Sequence, residues 1–187
     1  MRVLAVEEGG FAEGVPGERK GKALLVGLVT VDSVPDKVLV SEVTVDGLDA
    51  TEQLVRMVRR EARKLRPNLI LLGSVSYAGF NPMDPRALYR RLRIPVLVVN
   101  PRKPDILAVE SALQHHFEDW KRRLAVFRGA GKPKLLRLGR SRRLYFHAVG
   151  LSKARAENLI RGLVVFGNRP EPLRIARILA HELSKVK

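Results

Sequence analysis

Residues 69–99 read LILLGSVSYAGFNPMDPRALYRRLRIPVLVV and contain the pattern that decides the fold. The apolar run 69–72 predicts a buried strand of the kind found in parallel sheets. Residues 73–85 are rich in Gly, Ser and Pro and predict a loop, and a short helix is predicted near 85–91. The apolar run 95–99 predicts a second buried strand. Two buried strands joined through a helix form a β/α unit, so this stretch indicates an α/β protein.

Three strands are predicted before this stretch. Residues 2–6 form a short apolar run, and 22–31 and 37–45 are rich in Val, Leu and Thr. Pro35 and Asp36 lie between the last two runs, so we predict a β-hairpin that turns there. A first strand, a hairpin and then β/α units form the element order of a ribonuclease-H-like mixed sheet flanked by helices. A Rossmann fold, the rival, requires Gly-x-Gly-x-x-Gly after the first strand, and this chain does not have it there.

Helices are predicted on both sides of the β/α unit. Asp49 and Glu52 fit the capping box of a helix that ends before Pro67. The other predicted elements are a helix over 105–126, a hairpin of 135–138 with 144–146, and two closing helices that begin at Ser152 and after Pro170-Glu171-Pro172.

Length and composition restrict the classes of protein to which the chain can belong. The 187 residues fit one domain over 1–187, with a basic, partly flexible insertion near 119–143. The absence of Cys excludes disulfides, thiol catalysis and a Cys-ligated metal. No apolar run reaches the roughly 18 residues of a membrane span. The N-terminus turns acidic too early for a signal peptide, so a cytoplasmic location is expected.

Charge is the first indication of a binding partner. The chain has 35 Lys and Arg against 19 Asp and Glu, a net charge of +16. Such an excess attracts polyanions, so DNA or RNA is the expected partner. A solvated surface rich in ion pairs is the alternative, although it accounts poorly for an excess of one sign. The predicted phosphate-binding residues are Arg102, Lys103, Arg137, Arg140, Arg142 and Arg143.

Acidic residues follow the predicted strands. Glu7 and Glu8 follow the first strand, Asp46 and Asp49 follow the third, and Asp84 lies in the loop after the fourth. Strand ends of an α/β sheet can converge at one edge, where grouped carboxylates bind Mg²⁺ or Mn²⁺. Two such ions support phosphodiester hydrolysis. The expected metal ligands are Glu7, Glu8, Asp46 and Asp49, and the expected catalytic residues are Glu7, Asp46 and Asp84.

Each of the aspartates also has a purely structural interpretation. Asp49 fits a helix N-cap, Asp46 fits the turn residue of an Asp-Gly pair, and Asp84 fits a turn or a cap before the next helix. Glu7 and Glu8 are harder to explain in this way, because neighbouring acids after a buried strand repel each other unless a cation intervenes.

The loop over 73–85 is the second candidate for ligand contact. Its glycines can present backbone N–H groups to a phosphate, and Tyr77 and Phe80 can stack on a base. Ordinary hydrogen bonds within a tight loop are the alternative. The loop residues predicted to contact nucleic acid are Ser74, Ser76, Tyr77 and Asn81.

Four segments together resemble an archaeal family of unknown function, the domain-of-unknown-function family ninety-nine, over essentially the whole chain. They are AVEEGGF (5–11), VDGLDAT (45–51), GSVSYAGFN (73–81) and PEPLR (170–174). The family is similar in fold to endonuclease V, which cuts nucleic acid near deaminated purines with Mg²⁺ and carboxylates. The resemblance implies that Glu7 matches the first-strand metal ligand. At the end of the strand over 69–72, where endonuclease V has another acid, this chain has Gly73 and Ser74.

These observations lead to a main expectation and two alternatives. The main one is a nucleic-acid-binding protein resembling endonuclease V, with divalent-metal-dependent nuclease activity as its expected chemistry. The first alternative is a DNA- or RNA-binding protein without catalysis on the same fold. The second is an enzyme that binds a nucleotide or small phosphate through the 73–85 loop. Cleavage and retention of oligonucleotides with and without inosine distinguish these three hypotheses.

Overall fold

The structure is a computed structural model that describes residues 1–11, 14–61, 65–139 and 141–186. Within these ranges the chain forms nine strands and six helices. The strands are β1 (Arg2–Glu8), β2 (Lys22–Val31), β3 (Val34–Thr44), β4 (Leu69–Leu72), β5 (Ser76–Tyr77), β6 (Asn81–Pro82), β7 (Val96–Asn100), β8 (Lys134–Arg137) and β9 (Arg143–Val149). The helices are α1 (Ala50–Arg60), α2 (Pro85–Leu92), α3 (Ile106–His116), α4 (Trp120–Gly129), α5 (Lys153–Leu163) and α6 (Glu171–Lys185).

Seven of these strands form one mixed sheet in the order β3-β2-β1-β4-β7-β9-β8. β1 is antiparallel to β2 and parallel to β4, and β4 is parallel to β7. β9 is antiparallel to β7, so its first residues lie beside the end of that strand. The carboxyl ends of β1, β4 and β7 therefore meet at one edge, which we call the C-terminal edge. The predicted mixed sheet, with antiparallel first strands and then β/α units, is confirmed.

Alternating side chains of the central strands divide the core into two layers. Leu4 and Val6 of β1 pack on one face with α1 and α2, whereas Val3 and Ala5 pack on the other face with α5 and α6. Successive side chains of a strand point to opposite faces, and both faces here are covered by helices. This explains why β1, β4 and β7 read as continuous apolar runs.

The first hairpin turns earlier than the sequence predicts. β2 and β3 are joined at Asp32 and Ser33, both with positive φ, as two-residue hairpin turns require. Pro35 and Asp36, predicted to form the turn, lie inside β3. β3 is an edge strand, where a Pro that donates no hydrogen bond is tolerated.

The predicted helix over 105–126 is two helices. α3 ends at His116 because Phe117 adopts an extended backbone conformation. Phe117 then packs with Leu113 of α3 and Leu124 of α4, so the break closes a small apolar cluster. Within the ranges that the structure describes, no helix is long and apolar enough to cross a membrane.

Candidate functional site

Glu7 is a buried carboxylate at the C-terminal edge. The alternation of β1 directs it to the same face as Ala5, toward the segment between α5 and α6. Its Oε1 accepts a hydrogen bond of 2.7 Å from Arg169, and its side chain is only 12% exposed. Burial raises the pKa of Glu7 to about 7, although the charges of Arg169 and Arg177 act to lower it. Glu7 therefore changes its charge near physiological pH, a property common in functional carboxylates.

Glu8 leaves β1 on the opposite face. Its Oε2 accepts a hydrogen bond from the backbone N–H of Ala78 in the loop after β4. Burial, and to a lesser extent the charge of Glu7, raise the pKa of Glu8 to about 7, although the Ala78 hydrogen bond acts to lower it. The two carboxylates therefore interact electrostatically around the end of the strand. We call Glu7 and Glu8 the acidic pair.

Gly73 makes room for the Glu7 carboxylate. A Cβ atom at position 73 would lie 2.7 Å from the carboxyl carbon of Glu7 and overlap its Oε1. Glu7 therefore occupies the space in which a side chain at the end of β4 would begin. The absence of a side chain at position 73 and the position of the Glu7 carboxylate are thus parts of one arrangement.

Gly73→Ala is expected to displace the Glu7 carboxylate with little loss of stability. The obstructing atoms belong to the far end of a flexible side chain, and Gly73 is not among the glycines with positive φ. We expect any activity that depends on Glu7 to fall about tenfold or more, while the melting temperature changes by only a few degrees. Gly162→Ala is the matched control, because a Cβ at that position meets open space. Unchanged activity in Gly73→Ala would contradict this account of Glu7.

The acidic pair also predicts how stability depends on pH in the absence of metal. Folded Glu7 and Glu8 titrate near 7, whereas both would titrate near 4.5 when unfolded, so the folded state binds more protons between these values. Their contribution to stability is fully present below pH 4.5 and is lost as the pH rises through 7. Because each pKa unit corresponds to about 1.4 kcal/mol and two carboxylates are shifted, we expect the unfolding free energy to fall by on the order of 5 kcal/mol between pH 5 and 8.

The unfolding free energy is measured by urea denaturation at each pH, with a chelator present. The control is the double variant Glu7→Gln/Glu8→Gln, measured in the same way. His147 acts in the opposite direction, because burial lowers its pKa and its contribution rises with pH. The difference between the wild type and the double variant isolates the acidic pair. An equal pH slope in both proteins would show that the pair does not titrate in this window.

Asp46 and Glu8 bind the same residue, Ala78, through its backbone, and the Asp46 carboxylate is fully engaged by protein donors. It accepts hydrogen bonds from Arg19 Nε (2.8 Å) and Nη2 (2.7 Å), and from the backbone N–H groups of Gly17 (3.0 Å) and Phe80 (2.8 Å). Burial would raise the pKa of Asp46, but these hydrogen bonds outweigh burial and lower it. Asp46 therefore joins the segment before β2 to the loop after β4. Its predicted roles as metal ligand and catalytic residue stay predictions.

The other two predicted aspartates also bind backbone or amide groups. Asp49 precedes α1, but its carboxylate accepts from the Thr44 hydroxyl (2.9 Å) and the Asn81 amide (2.6 Å) rather than capping the helix. Asn81 Oδ1 takes over the cap by accepting from Ala50 N–H at 3.0 Å, so the predicted capping box is wrong. Asp84 is the N-cap of α2, as its structural interpretation predicts.

The loop after β4 separates its predicted residues into two groups. Tyr77 and Asn81 are buried, and the Tyr77 hydroxyl donates to the Val6 carbonyl at 2.9 Å. A buried ring cannot stack on a base, so the stacking prediction for Tyr77 is wrong. Ser74 and Ser76 instead line an open cleft, with Ser74 Oγ accepting from Ser76 N–H at 3.0 Å.

This cleft, of about 740 Å³, lies beyond the ends of β4 and β7 and has a largely apolar lining. Such a volume falls within the range of small-ligand pockets. Lys103, predicted to bind phosphate, lies on its wall with Arg128 and Lys132. His147 of β9 also lines it and forms a hydrogen bond of 3.0 Å between Nδ1 and the Ala130 carbonyl. We call this space the cleft.

The predicted phosphate-binding arginines lie on the β8–β9 hairpin. Arg137, Arg142 and Arg143 line one small surface depression there. The first residues of β9 lie beside the end of β7, so this hairpin reaches the C-terminal edge. Arg102 is exposed in the bend after β7. Arg140 lies outside the described residues.

One arginine of the basic insertion has an internal role. Arg123 is 6% exposed and donates to the carbonyls of Gly47 and Phe80, both at 2.9 Å. Its guanidinium also lies over the Phe117 ring, 4.2 Å from the centroid. Arg123 therefore ties α4 to the loops around Asp46 and contributes to packing rather than to a surface field.

Sequence reasoning missed the cations around the acidic pair. Arg169 follows α5, Arg177 lies in α6 and Arg19 lies in the loop before β2, so tertiary folding alone brings them to β1. Nothing in their spacing marks them as partners of Glu7 or Glu8. The only available signal for Arg169 is that it directly precedes the PEPLR segment.

The donor set fits a metal ion that needs few protein ligands. In the described part of the chain, no three Asp, Glu or His side chains form a group that could hold a metal ion. Mg²⁺, however, usually keeps several waters and binds through one or two carboxylates. The acidic pair offers one buried and one half-buried carboxylate, and a cation would relieve the repulsion between them.

The seven-stranded mixed sheet and its flanking helices have the fold of solved endonuclease V structures. Endonuclease V of Ciona intestinalis, in complex with a 24mer DNA containing an inosine, superposes with a TM-score of 0.63 at 13% identity. The superposition covers 100% of this chain and 87% of that one. Human endonuclease V superposes with a TM-score of 0.58 at 18% identity, and the superposition covers 99% of this chain and 84% of that one.

The chain belongs to the Endonuclease dU family, whose profile matches residues 1–184. A UPF0215 protein of Pyrococcus furiosus is 35% identical over 96% of this chain and 90% of its own length. A crystal structure of an Archaeoglobus fulgidus protein of unknown function is 34% identical, with a TM-score of 0.83 and 97% of each chain covered. The predicted resemblance to an archaeal family with an endonuclease-V-like fold is confirmed.

Proposed function

We propose that this protein binds nucleic acid at the C-terminal edge and hydrolyses a phosphodiester bond there with a divalent metal ion. The observation that carries this proposal is the acidic pair: two neighbouring carboxylates at a strand end, one buried and one half-buried, both with a pKa near 7. A chain with a net charge of +16 attracts a polyanion to the cations around that pair. The family name, Endonuclease dU, is consistent with this reaction.

Glu7 and Glu8 would hold the metal ion, Mg²⁺ or Mn²⁺. When bound, such an ion lowers the pKa of water and stabilises the negative charge on the leaving oxygen. Arg169 lies against Glu7 and carries the guanidinium donors that fit a phosphate group. It orients the Glu7 carboxylate and can share its remaining donors with the scissile phosphate.

The cleft supports recognition of a base close to the acidic pair. Its apolar lining favours a flat ring over a solvated phosphate, while Ser74, Ser76 and Asn100 supply hydrogen-bonding groups. Lys103 and Lys132 lie where they can hold the backbone of a nucleotide inserted there. A deaminated base is the substrate class that the names of the family and of its structural neighbours suggest, namely deoxyuridine or inosine.

A nucleic-acid-binding protein without catalysis is the second candidate. One observation favours it: Asp46, Asp49 and Asp84 all bind protein donors. Arg169 likewise pairs with Glu7 and can substitute for a metal cation. In this case binding would persist with a chelator and weaken steeply with salt.

The test uses end-labelled single-stranded and duplex DNA and RNA, with deoxyuridine, inosine or neither. Cleavage and retention are measured in the same tubes, in Mg²⁺, in Mn²⁺ and with a chelator. Metal-dependent cleavage next to a deaminated base supports the main proposal. Salt-sensitive retention without cleavage supports the second candidate. The absence of both cleavage and retention would contradict both candidates.

A further inference from the structure

The segment between α5 and α6, which also carries Arg169, exposes an aromatic side chain. Phe166 is 72% exposed and its neighbour Val165 is 55% exposed. Gly167 follows with a φ of +62°, a conformation that glycine adopts without strain. The turn therefore presents Phe166 to solvent at a defined position instead of folding it into the core.

Three contacts anchor this turn at the C-terminal edge. Arg169 donates to Glu7 at 2.7 Å, and Arg142 donates to the Gly167 carbonyl at 3.1 Å. Asn168 donates to the Arg143 carbonyl at 3.3 Å. Successive Cα atoms are about 3.8 Å apart, so the Cα of Phe166 lies within about 11 Å of that of Arg169. The turn thus bridges the acidic pair and the β8–β9 hairpin.

The surroundings of Phe166 are basic. Arg142 and Arg143 on the hairpin are exposed, and so is Arg161 in the last turn of α5. An exposed aromatic ring among arginines is the combination with which proteins stack unpaired bases while holding the backbone. Charge complementarity therefore favours a nucleic acid over an uncharged or basic protein surface at this position.

We propose that Phe166 is a base-stacking residue, which holds an unpaired base of the strand that enters the C-terminal edge. The inference rests on the proposed function, because it requires nucleic acid at that edge. It adds a contact that neither the cleft nor the acidic pair provides. The Phe166 ring would hold a neighbouring nucleotide, while the cleft receives the base to be recognised.

The test measures the affinity of a fluorescently labelled single-stranded DNA by anisotropy, with a chelator present so that no strand is cut. Removing one base–aromatic stack by alanine substitution weakens binding by roughly tenfold. We expect Phe166→Ala and Phe166→Leu to lose about tenfold, because leucine keeps apolar bulk but has no π-face. Phe166→Trp should bind within about twofold of the wild type.

Val34→Ala is the matched control. Val34 is 65% exposed but lies at the start of β3, beside the end of β2 and hence at the opposite edge of the sheet. Its affinity for DNA should equal that of the wild type. Wild-type affinity in Phe166→Ala, or full affinity in Phe166→Leu, would overturn the stacking proposal alone. No DNA binding by the wild type would overturn both this proposal and the proposed function.

Discussion

Glu7→Gln is expected to reduce metal-dependent cleavage by about 100-fold or more without lowering stability at pH 8. Glutamine lacks the charge that holds a cation, and a loss of several kcal/mol of transition-state stabilisation corresponds to a decrease of this size. It keeps an oxygen that can accept the Arg169 hydrogen bond. Removal of a buried charge also offsets part of any packing change. Initial cleavage rates and thermal melting, measured on the same preparation, check both parts.

Glu118→Gln is the control for this variant, since Glu118 is exposed and lies between α3 and α4. It should cleave like the wild type. If Glu7→Gln keeps the wild-type rate, Glu7 is not a metal ligand. If both variants are slow, the loss reflects overall charge rather than the acidic pair.

Asp46→Ala is expected to reduce the unfolding free energy by about 3–5 kcal/mol, the typical cost of breaking a buried ion pair. The side chains of Arg19 and Asp46 are 13% and 4% exposed, so the arginine would lose its partner in a largely buried position. The N–H groups of Gly17 and Phe80 would lose their acceptor as well. Asp46 also has a φ of +53°, which alanine adopts only with strain. Denaturant unfolding measures the change.

Asp84→Ala is the comparison, since it removes an N-cap and should cost only about 1 kcal/mol. The loss of unfolding free energy in Asp46→Asn should lie between those of Asp46→Ala and Asp84→Ala, because asparagine tolerates positive φ but lacks the charge opposite Arg19. An Asp46→Ala protein with wild-type stability but no cleavage would reverse our assignment. Asp46 would then act on the substrate or the metal instead of joining two loops.

The central strands could be predicted from the sequence because their signal is local. Residues 69–72 and 95–99 are apolar on both faces, and only a strand covered by helices on both sides requires that pattern. The turn at Asp32 and Ser33 could not be found, because Pro35 is a stronger local turn signal than either residue. Pro35 lies in an edge strand, and the order of the strands in the sheet decides this position.

The candidate site was predictable to the same limited extent. Glu7 and Glu8 could be selected because two adjacent acids after a buried strand conflict with burial unless something compensates them. The compensation itself, from Arg169 and from the Ala78 N–H group, depends on contacts between distant segments. The burial of Tyr77 could not be predicted for the same reason, since its hydroxyl donates a hydrogen bond to a carbonyl of β1.

The most direct test of the central claim is a calorimetric titration of the protein with Mn²⁺ at pH 8, without nucleic acid. The wild type should show saturable binding, which the Glu7→Gln/Glu8→Gln variant loses. The same titration at pH 6 should be weaker, because protons compete for carboxylates with a pKa near 7. Full binding in the double variant, or no saturable binding in the wild type, would contradict a metal site at the acidic pair.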